Sequence, residues 1–175
     1  MGMTVLLGGA RSGKSEMASG LATTTDRPVV VVATAEARDE EMAERIRHHR
    51  NTRPSTWTTL EVPVELGAAV RDLERESLVV LDCLSLWVSN LIEAGLAEDA
   101  IVTEAREVAT LLATREAPAI VVSNEVGLGI VPVNALARRY RDALGRVNAT
   151  FASAAYRAYF VVAGKALPLE DVNLA

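Results

Sequence analysis

The stretch "TVLLGGARSGKS", residues 4–15, decides the fold. It passes from an apolar run into a motif of the form G-x-x-x-x-G-K-[ST], made by Gly8, Gly13, Lys14 and Ser15. Between a strand and a helix this motif is typical of a phosphate-binding loop, in which glycines let backbone N–H groups approach phosphate oxygens. The helix that follows directs its positive end at the anion. We therefore predict a triphosphate site, with Lys14 on the β- and γ-phosphates and Ser15 on magnesium.

The rarity of lysine supports a specific role for Lys14. The 18 basic residues of the chain include only two lysines, Lys14 and Lys165, so the other 16 are arginines. A lysine differs from an arginine in carrying a compact point charge on a flexible stem. Lys14 is therefore predicted to be catalytic.

Short apolar runs and helical segments alternate along the rest of the chain. Continuous apolar runs are typical of strands buried on both faces, and their alternation with helices predicts parallel βαβ units. The predicted strands are residues 4–9, 29–35, 78–83, 119–124 and 159–164, with 55–62 as an extra short strand. The predicted helices are residues 13–23, 39–51, 64–76, 83–95, 98–115 and 133–157. We predict one α/β domain over residues 1–175, with a P-loop NTPase-like (RecA-like), mostly parallel sheet and helices on both faces.

Composition excludes several classes of protein. Half of the 175 residues are hydrophobic, which favours a folded domain, and the net charge of −5 argues against a nucleic-acid partner. No apolar stretch approaches the roughly 20 residues of a membrane span, and the first residues show no signal-peptide pattern. The single cysteine, Cys83, cannot form an internal disulfide. We expect a cytoplasmic protein.

The run "LVVLDC", residues 78–83, provides an acid for the same site. Asp82 follows four apolar residues at the carboxyl end of a predicted strand, where an acid can hold magnesium or its water shell. The chain lacks the N-K-x-D motif by which guanine-specific switch GTPases read the base, and "SNEVG", residues 123–127, is the nearest approach. Asp82 also lacks the D-x-x-G continuation of those switches. A transferase is favoured.

Both histidines of the chain lie side by side in "RIRHHRNTRP", residues 45–54. On the predicted second helix, Met42 and Ile46 are four residues apart and define a buried stripe, which His49 continues. His48 lies on the other side of that helix. The helix phase therefore favours His49 as a packing residue and His48 as a nucleophile or acid–base group.

Four motifs in order along the chain resemble one known family. They are "GGARSGKS", "RIRHHRNTRPSTWTTLEVP", "SNEVGLGIVP" and "RRYRDALGRVN", and the likeness runs over essentially the whole sequence. The family is that of the bifunctional adenosylcobinamide kinase / adenosylcobinamide-phosphate guanylyltransferase of cobalamin biosynthesis. The resemblance implies phosphorylation of adenosylcobinamide by ATP or GTP. Transfer of GMP from GTP through a guanylyl-histidine would follow, giving adenosylcobinamide-GDP and pyrophosphate.

The resemblance also implies roles for individual residues. His48, the first of the pair, would carry GMP, with Lys14 and Asp82 as further catalytic residues and Mg²⁺ on Ser15 and Asp82. Relatives form trimers, so a homotrimer is expected. Asn124 and Glu125 would contact the corrinoid or a neighbouring subunit, or only shape their loop. Nucleotide contacts are implied for Gly8, Gly9, Ala10, Arg11, Ser12, Gly13, Lys14, Ser15, Ala33, Thr34, Ala35, His49, Arg50, Asn51, Thr52, Glu61 and Asp82.

Two other functions remain open from the residues alone. One is a phosphate-loop kinase for another small alcohol, in which the histidines are incidental. The other is a nucleotide-dependent regulatory module whose bound nucleotide controls a partner. Covalent capture of GMP distinguishes the bifunctional transferase from both alternatives, since only the transferase forms a guanylyl-protein.

Overall fold

A computed structural model describes residues 2–171. Strands and helices alternate through most of this range, and the range closes on a hairpin. The elements in chain order are β1 (Met3–Gly8), α1 (Lys14–Ala22), β2 (Val29–Ala33), α2 (Glu40–Asn51), β3 (Thr58–Glu61), α3 (Leu66–Asp72), β4 (Leu78–Asp82), α4 (Leu84–Glu93), α5 (Glu98–Ala113), β5 (Ala119–Asn124), α6 (Ala135–Ala154), β6 (Arg157–Val162) and β7 (Lys165–Leu169).

The strands of the described range form one sheet in the order β3-β2-β4-β5-β1-β6-β7. Neighbouring strands are parallel from β3 to β6, and β7 runs antiparallel to β6. In such a sheet the carboxyl ends of the parallel strands meet at one edge, where α/β proteins bind their ligands. At that edge β5 lies between β4, which ends in Asp82, and β1, which runs into the phosphate loop.

Alternate side chains of the strands enter two cores, one on each face of the sheet. Val5 and Leu7 of β1 join the larger core with helices α3 to α6, which Trp87 and Phe151 help to fill. Leu6 points the other way and packs with α1 in the smaller core. The prediction of helices on both faces is confirmed. None of the helices in residues 2–171 combines the length and apolar composition needed to cross a membrane.

The carboxyl-terminal elements differ from the prediction. The last helix ends at Ala154 rather than at residue 157, and β6 covers 157–162 rather than 159–164. The reason is sheet pairing, because Tyr156 N–H donates to Met3 O at 2.8 Å and the next residue already pairs with β1. The sequence did not indicate β7, an exposed edge strand that contains Pro168 and lacks a buried apolar run.

Candidate active site

The phosphate loop (residues 8–15) has a backbone that its glycines make possible. Gly13 has φ +99°, and a Cβ on Gly8 would lie 2.2 Å from the carbonyl oxygen of Val161 in β6. The turn that joins β6 to β7 supports the loop from outside, because Gly164 N–H donates to Ser12 O at 2.9 Å. The geometry of the loop therefore requires the two glycines of the predicted motif, Gly8 and Gly13.

Lys14 begins α1 and is only 6% exposed. Its Nζ donates to Gly9 O at 2.7 Å and to Ser12 Oγ at 3.3 Å, so the ammonium lies inside the curve of the loop. Burial lowers the pKa of Lys14, while Cys83 and Asp82 act in the opposite direction. A cation at the positive end of a helix makes an anion site, and a phosphate is its natural ligand.

Asp82 joins the end of β4 to the segment that follows α2. Its Oδ2 accepts a hydrogen bond from Arg53 Nη2 at 3.0 Å and lies 3.8 Å from His49 Nδ1. The side chains of Arg53 and Asp82 are only 12% and 18% exposed, so water screens this ion pair poorly. Sequence reasoning assigned Asp82 to the site but missed Arg53. The only signal was its place in the arginine-rich stretch just after the histidines.

The two histidines have different surroundings. The helix that carries them, α2, starts as predicted at Asp39, whose side chain accepts from Met42 N–H at 2.7 Å. His49 is half-buried and His48 is exposed, which confirms the direction given by the helix phase. The ring of His49 lies beside the carboxylate of Asp82. The buried stripe predicted for Met42 and Ile46 is not observed, because no residue of α2 is buried and these two side chains are only partly covered. Burial lowers the pKa of His49, and Asp82 partly offsets this effect.

The other residues at the end of α2 are open to solvent. Asn51 and Thr52 are exposed, and Arg50 forms an exposed ion pair with Glu61 at 3.2 Å, which ties α2 to β3. Five of the residues implied for nucleotide binding, 49–52 and 61, thus lie around one end of this helix. Ala10 and Arg11 are exposed on the phosphate loop.

Thr34 was expected to contact the nucleotide, but its side chain points into the protein and bonds the backbone of Cys83. It is fully buried, its Oγ1 donates to Cys83 O at 2.7 Å, and the same oxygen accepts from Cys83 N–H at 2.9 Å. Both hydrogen-bonding functions of the hydroxyl are therefore used inside the protein. In this structure Thr34 fixes the turn after Asp82, whereas Ala33 and Ala35 on either side are partly exposed.

A buried polar network lies behind the site. Ser85 Oγ accepts from Asn124 Nδ2 at 3.1 Å and lies 2.9 Å from Cys83 Sγ, and Tyr140 OH donates to Ser85 O at 3.2 Å. Asn148 Nδ2 donates to Asn124 O at 3.0 Å. Burial raises the pKa of the Cys83 thiol, and burial together with Cys83 raises that of Tyr140 to about 12. Both groups are neutral at pH 7, and both contact Ser85, whose hydroxyl bonds Asn124.

The two residues predicted to bind magnesium, Ser15 and Asp82, have side-chain oxygens, which are the ligands that this ion prefers. The described range contains no cluster of three or more histidine, cysteine or acidic side chains that could hold a metal by themselves. Magnesium bound with a nucleotide needs only one or two protein oxygens, because phosphates and water supply the rest. The hydroxyl of Ser15 and the carboxylate of Asp82 are oxygens of this kind, although Arg53 already bonds one carboxylate oxygen.

Comparison with known proteins points to one family. Residues 4–169 match the family described as cobinamide kinase / cobinamide phosphate guanyltransferase. The bifunctional adenosylcobalamin biosynthesis protein CobP of Pseudomonas aeruginosa is 43% identical over 173 residues, which cover 97% of this chain and 98% of that protein. The corresponding CobU of Salmonella typhimurium is 39% identical over 176 residues, which cover 93% and 96%.

Solved structures with little sequence identity share the fold. An ATPase of the type III secretion system of pathogenic bacteria has a TM-score of 0.58 and 8% identity, over 91% of this chain and 50% of that one. The RadB recombinase has a TM-score of 0.51 and 16% identity, over 91% and 73%. The predicted P-loop NTPase-like, RecA-like fold is confirmed.

Proposed function

Because this chain belongs to the cobinamide kinase / cobinamide phosphate guanyltransferase family, we propose that it catalyses both reactions on adenosylcobinamide. In the first, a nucleoside triphosphate phosphorylates the alcohol of adenosylcobinamide. In the second, GMP passes from GTP to that phosphate through a guanylyl-histidine, which gives adenosylcobinamide-GDP and pyrophosphate. The observation that carries the proposal is that Lys14, Asp82 and His49 lie together at one edge of the sheet, with His48 next to His49 on α2.

The kinase reaction requires a cradle for the triphosphate and little else from the protein. The alcohol oxygen would attack the γ-phosphorus, the bond to the β–γ bridging oxygen would break, and the nucleoside diphosphate would leave. Lys14 and the amino end of α1 would neutralise the growing negative charge, and the position of the Lys14 ammonium against the phosphate loop supports this role. Magnesium held by Ser15 and Asp82 would add to this neutralisation. Both ATP and GTP are donors that such a site accepts.

The guanylyl transfer requires a nucleophile that can reach two substrates in turn. A neutral imidazole nitrogen of His48 would attack the α-phosphorus of GTP, and pyrophosphate would leave. The phosphate of adenosylcobinamide phosphate would then attack the phosphoramidate and release the histidine. Family resemblance and the exposure of His48 support this assignment. His49, whose ring faces Asp82, would then orient the donor rather than carry GMP.

Intact-protein mass spectrometry after incubation with GTP and magnesium tests the proposal. We expect a mass increase of one GMP in the wild type and in His49→Ala, and none in His48→Ala. The adduct should survive alkali and be lost in acid, because protonation of the phosphoramidate nitrogen makes imidazole a good leaving group. Arg47→Ala, on the same exposed end of α2, is a matched control that should retain the adduct.

Two results would contradict this assignment. An adduct that persists in His48→Ala and disappears in His49→Ala would move the nucleophile to the residue beside Asp82. A wild type that never forms an adduct would reduce the function to a simple kinase or a nucleotide-dependent regulatory module. Phosphorylation of cobinamide or of another small alcohol by the same preparation would identify the kinase, and nucleotide binding without such phosphorylation would indicate the regulatory module.

The proposal also covers the oligomeric state, the cellular location and the partners of the protein. We propose a single-domain enzyme that forms a homotrimer in the cytoplasm and has no nucleic-acid partner. The resemblance supports the trimer, the negative net charge argues against nucleic acid, and the free, buried Cys83 is compatible with a reducing compartment. Light scattering of the purified protein tests the trimer.

A further inference from the structure

The segment between β5 and α6 exposes a group of large apolar side chains. We define the β5–α6 loop as residues 125–134. Leu128 is 80% exposed, and Ile130 and Val133 are both 97% exposed. Scattered apolar side chains are common on protein surfaces, but a contiguous group of this kind marks a binding surface. Residues 126–137 also contain no charged side chain, in a chain of which 23% is charged.

The loop leaves the sheet in the middle of the candidate active site. Its strand, β5, lies between β4, which ends in Asp82, and β1, which ends in Gly8. Asn124 pairs in register with Gly8, and Glu125 N–H donates to Gly8 O at 3.0 Å. The base of the loop is therefore hydrogen-bonded to the first residue of the phosphate loop. A ligand on the loop would adjoin anything bound at the phosphate loop.

The charges around the phosphate site differ from one side to the other. The acidic residues of α2 all precede Arg45, Arg47 and Arg50, and this basic end of the helix suits the triphosphate, which is a polyanion. The β5–α6 loop has no charge beyond Glu125 and suits a ligand that presents a large apolar surface. A corrin macrocycle has broad apolar surface, and in cobinamide its side chains end in uncharged amides. Exposed backbone groups of a glycine-containing loop can bond to such amides.

We propose that the β5–α6 loop binds the corrin macrocycle of cobinamide, with Leu128 and Ile130 against the ring while the substrate alcohol reaches toward Lys14. This inference rests on the proposed function and adds a binding surface to it. Arg138 would hold the loop for this purpose, because its Nη1 donates to Pro132 O at 2.9 Å. The nucleotide and the corrinoid would then occupy opposite sides of the phosphate loop.

Binding of cobinamide to the 175-residue chain tests the inference, and the visible absorption of the corrinoid provides the signal. In equilibrium dialysis, Leu128→Ser and Ile130→Ser should each raise the Kd for cobinamide by about tenfold or more, as expected when a large apolar contact is lost. Their Kd for GTP and their GMP adduct should stay at wild-type values, which also shows that they are folded. Leu21→Ser is the matched control, because Leu21 is 41% exposed at the far end of α1.

The outcomes separate this inference from the proposed function. Wild-type binding of cobinamide that is unchanged in both loop variants overturns the docking surface and leaves the proposed function intact. A wild type that binds GTP but no cobinamide overturns both. Light scattering of the same variants completes the test. A loop variant with weaker cobinamide binding and an unchanged oligomeric mass supports the inference, whereas a lower mass assigns the loop to a subunit interface and overturns it.

Discussion

Replacing Arg53 by methionine should destabilise the protein far more than replacing an arginine on the outer face of α2. Arg53 donates to Asp82 at 3.0 Å, with side-chain exposures of only 12% and 18%. Methionine keeps much of the apolar stem and removes the charge. Asp82 would then remain as a largely buried carboxylate without its closest cation.

The expected loss of folding free energy is about 2 kcal/mol. Exposed ion pairs contribute roughly 0.2–1 kcal/mol, whereas removal of one partner from a fully buried pair costs about 3–5 kcal/mol. The Arg53–Asp82 pair lies between these limits. The ammonium of Lys14, which acts electrostatically on Asp82, would compensate part of the loss. For a chain of this size, about 2 kcal/mol corresponds to a fall of roughly 5 °C in Tm.

Urea denaturation of Arg53→Met and Arg47→Met measures the difference. Arg47 pairs with Glu44 on the exposed face of the same helix, so its variant should lie within about 0.5 kcal/mol of wild type. Asp82→Asn and the double variant complete a mutant cycle, which should show a coupling of about 1 kcal/mol or more. Equal stabilities of the two arginine variants, or additive effects in the cycle, would refute the reasoning.

Four further predictions concern the same edge of the sheet. Lys14→Ala should impair both reactions, because both use a triphosphate at one loop; near-normal phosphorylation of cobinamide would exclude a shared site. Asp82→Asn should raise the magnesium concentration needed for turnover, and an unchanged magnesium titration would exclude a metal role. Burial lowers the pKa of His49 below its unfolded value of 6.5, so the free energy of unfolding should fall as pH decreases through that value. In urea titrations at several pH values, His49→Gln should show a smaller decrease in the free energy of unfolding than wild type. Gly8→Ala should destabilise the fold by about 2 kcal/mol or more in the same assay, because its Cβ would meet Val161 O at 2.2 Å.

The alternation of apolar runs and helices was enough to predict the parallel part of the sheet. Strands β1, β2, β4 and β5 are buried on both faces, so their sequences are continuous apolar runs with short polar boundaries. The edge of the sheet carried a weaker signal. Strand β7 is exposed at every position, and its pairing with β6 depends on a turn through Ala163 and Gly164, both with positive φ. Such strands are specified by their neighbours rather than by their own pattern.

The candidate site was predictable where a local motif defines it and not where it depends on distant contacts. Lys14 follows from the phosphate-loop motif, and Asp82 from its position at the end of a strand. Arg53 reaches Asp82 across 29 positions of sequence, and no local pattern reports such a contact. The burial of Thr34 likewise depends on Cys83, which is 49 positions away. The Thr34 contact arises from the pairing of β2 with β4, and the Arg53 contact arises from the position of the segment after α2.

The central place of β1 has a consequence for how the protein is made. The first strand lies between β5 and β6, and the phosphate loop that follows it is supported by the turn after β6. Gly164 must therefore be synthesised before the phosphate loop has all of its supporting contacts. Until β5 has been synthesised, β1 has no partner strand, and β2, β3 and β4 can pair only with one another. A bound nucleotide should therefore stabilise the chain fully only after the last hairpin has emerged.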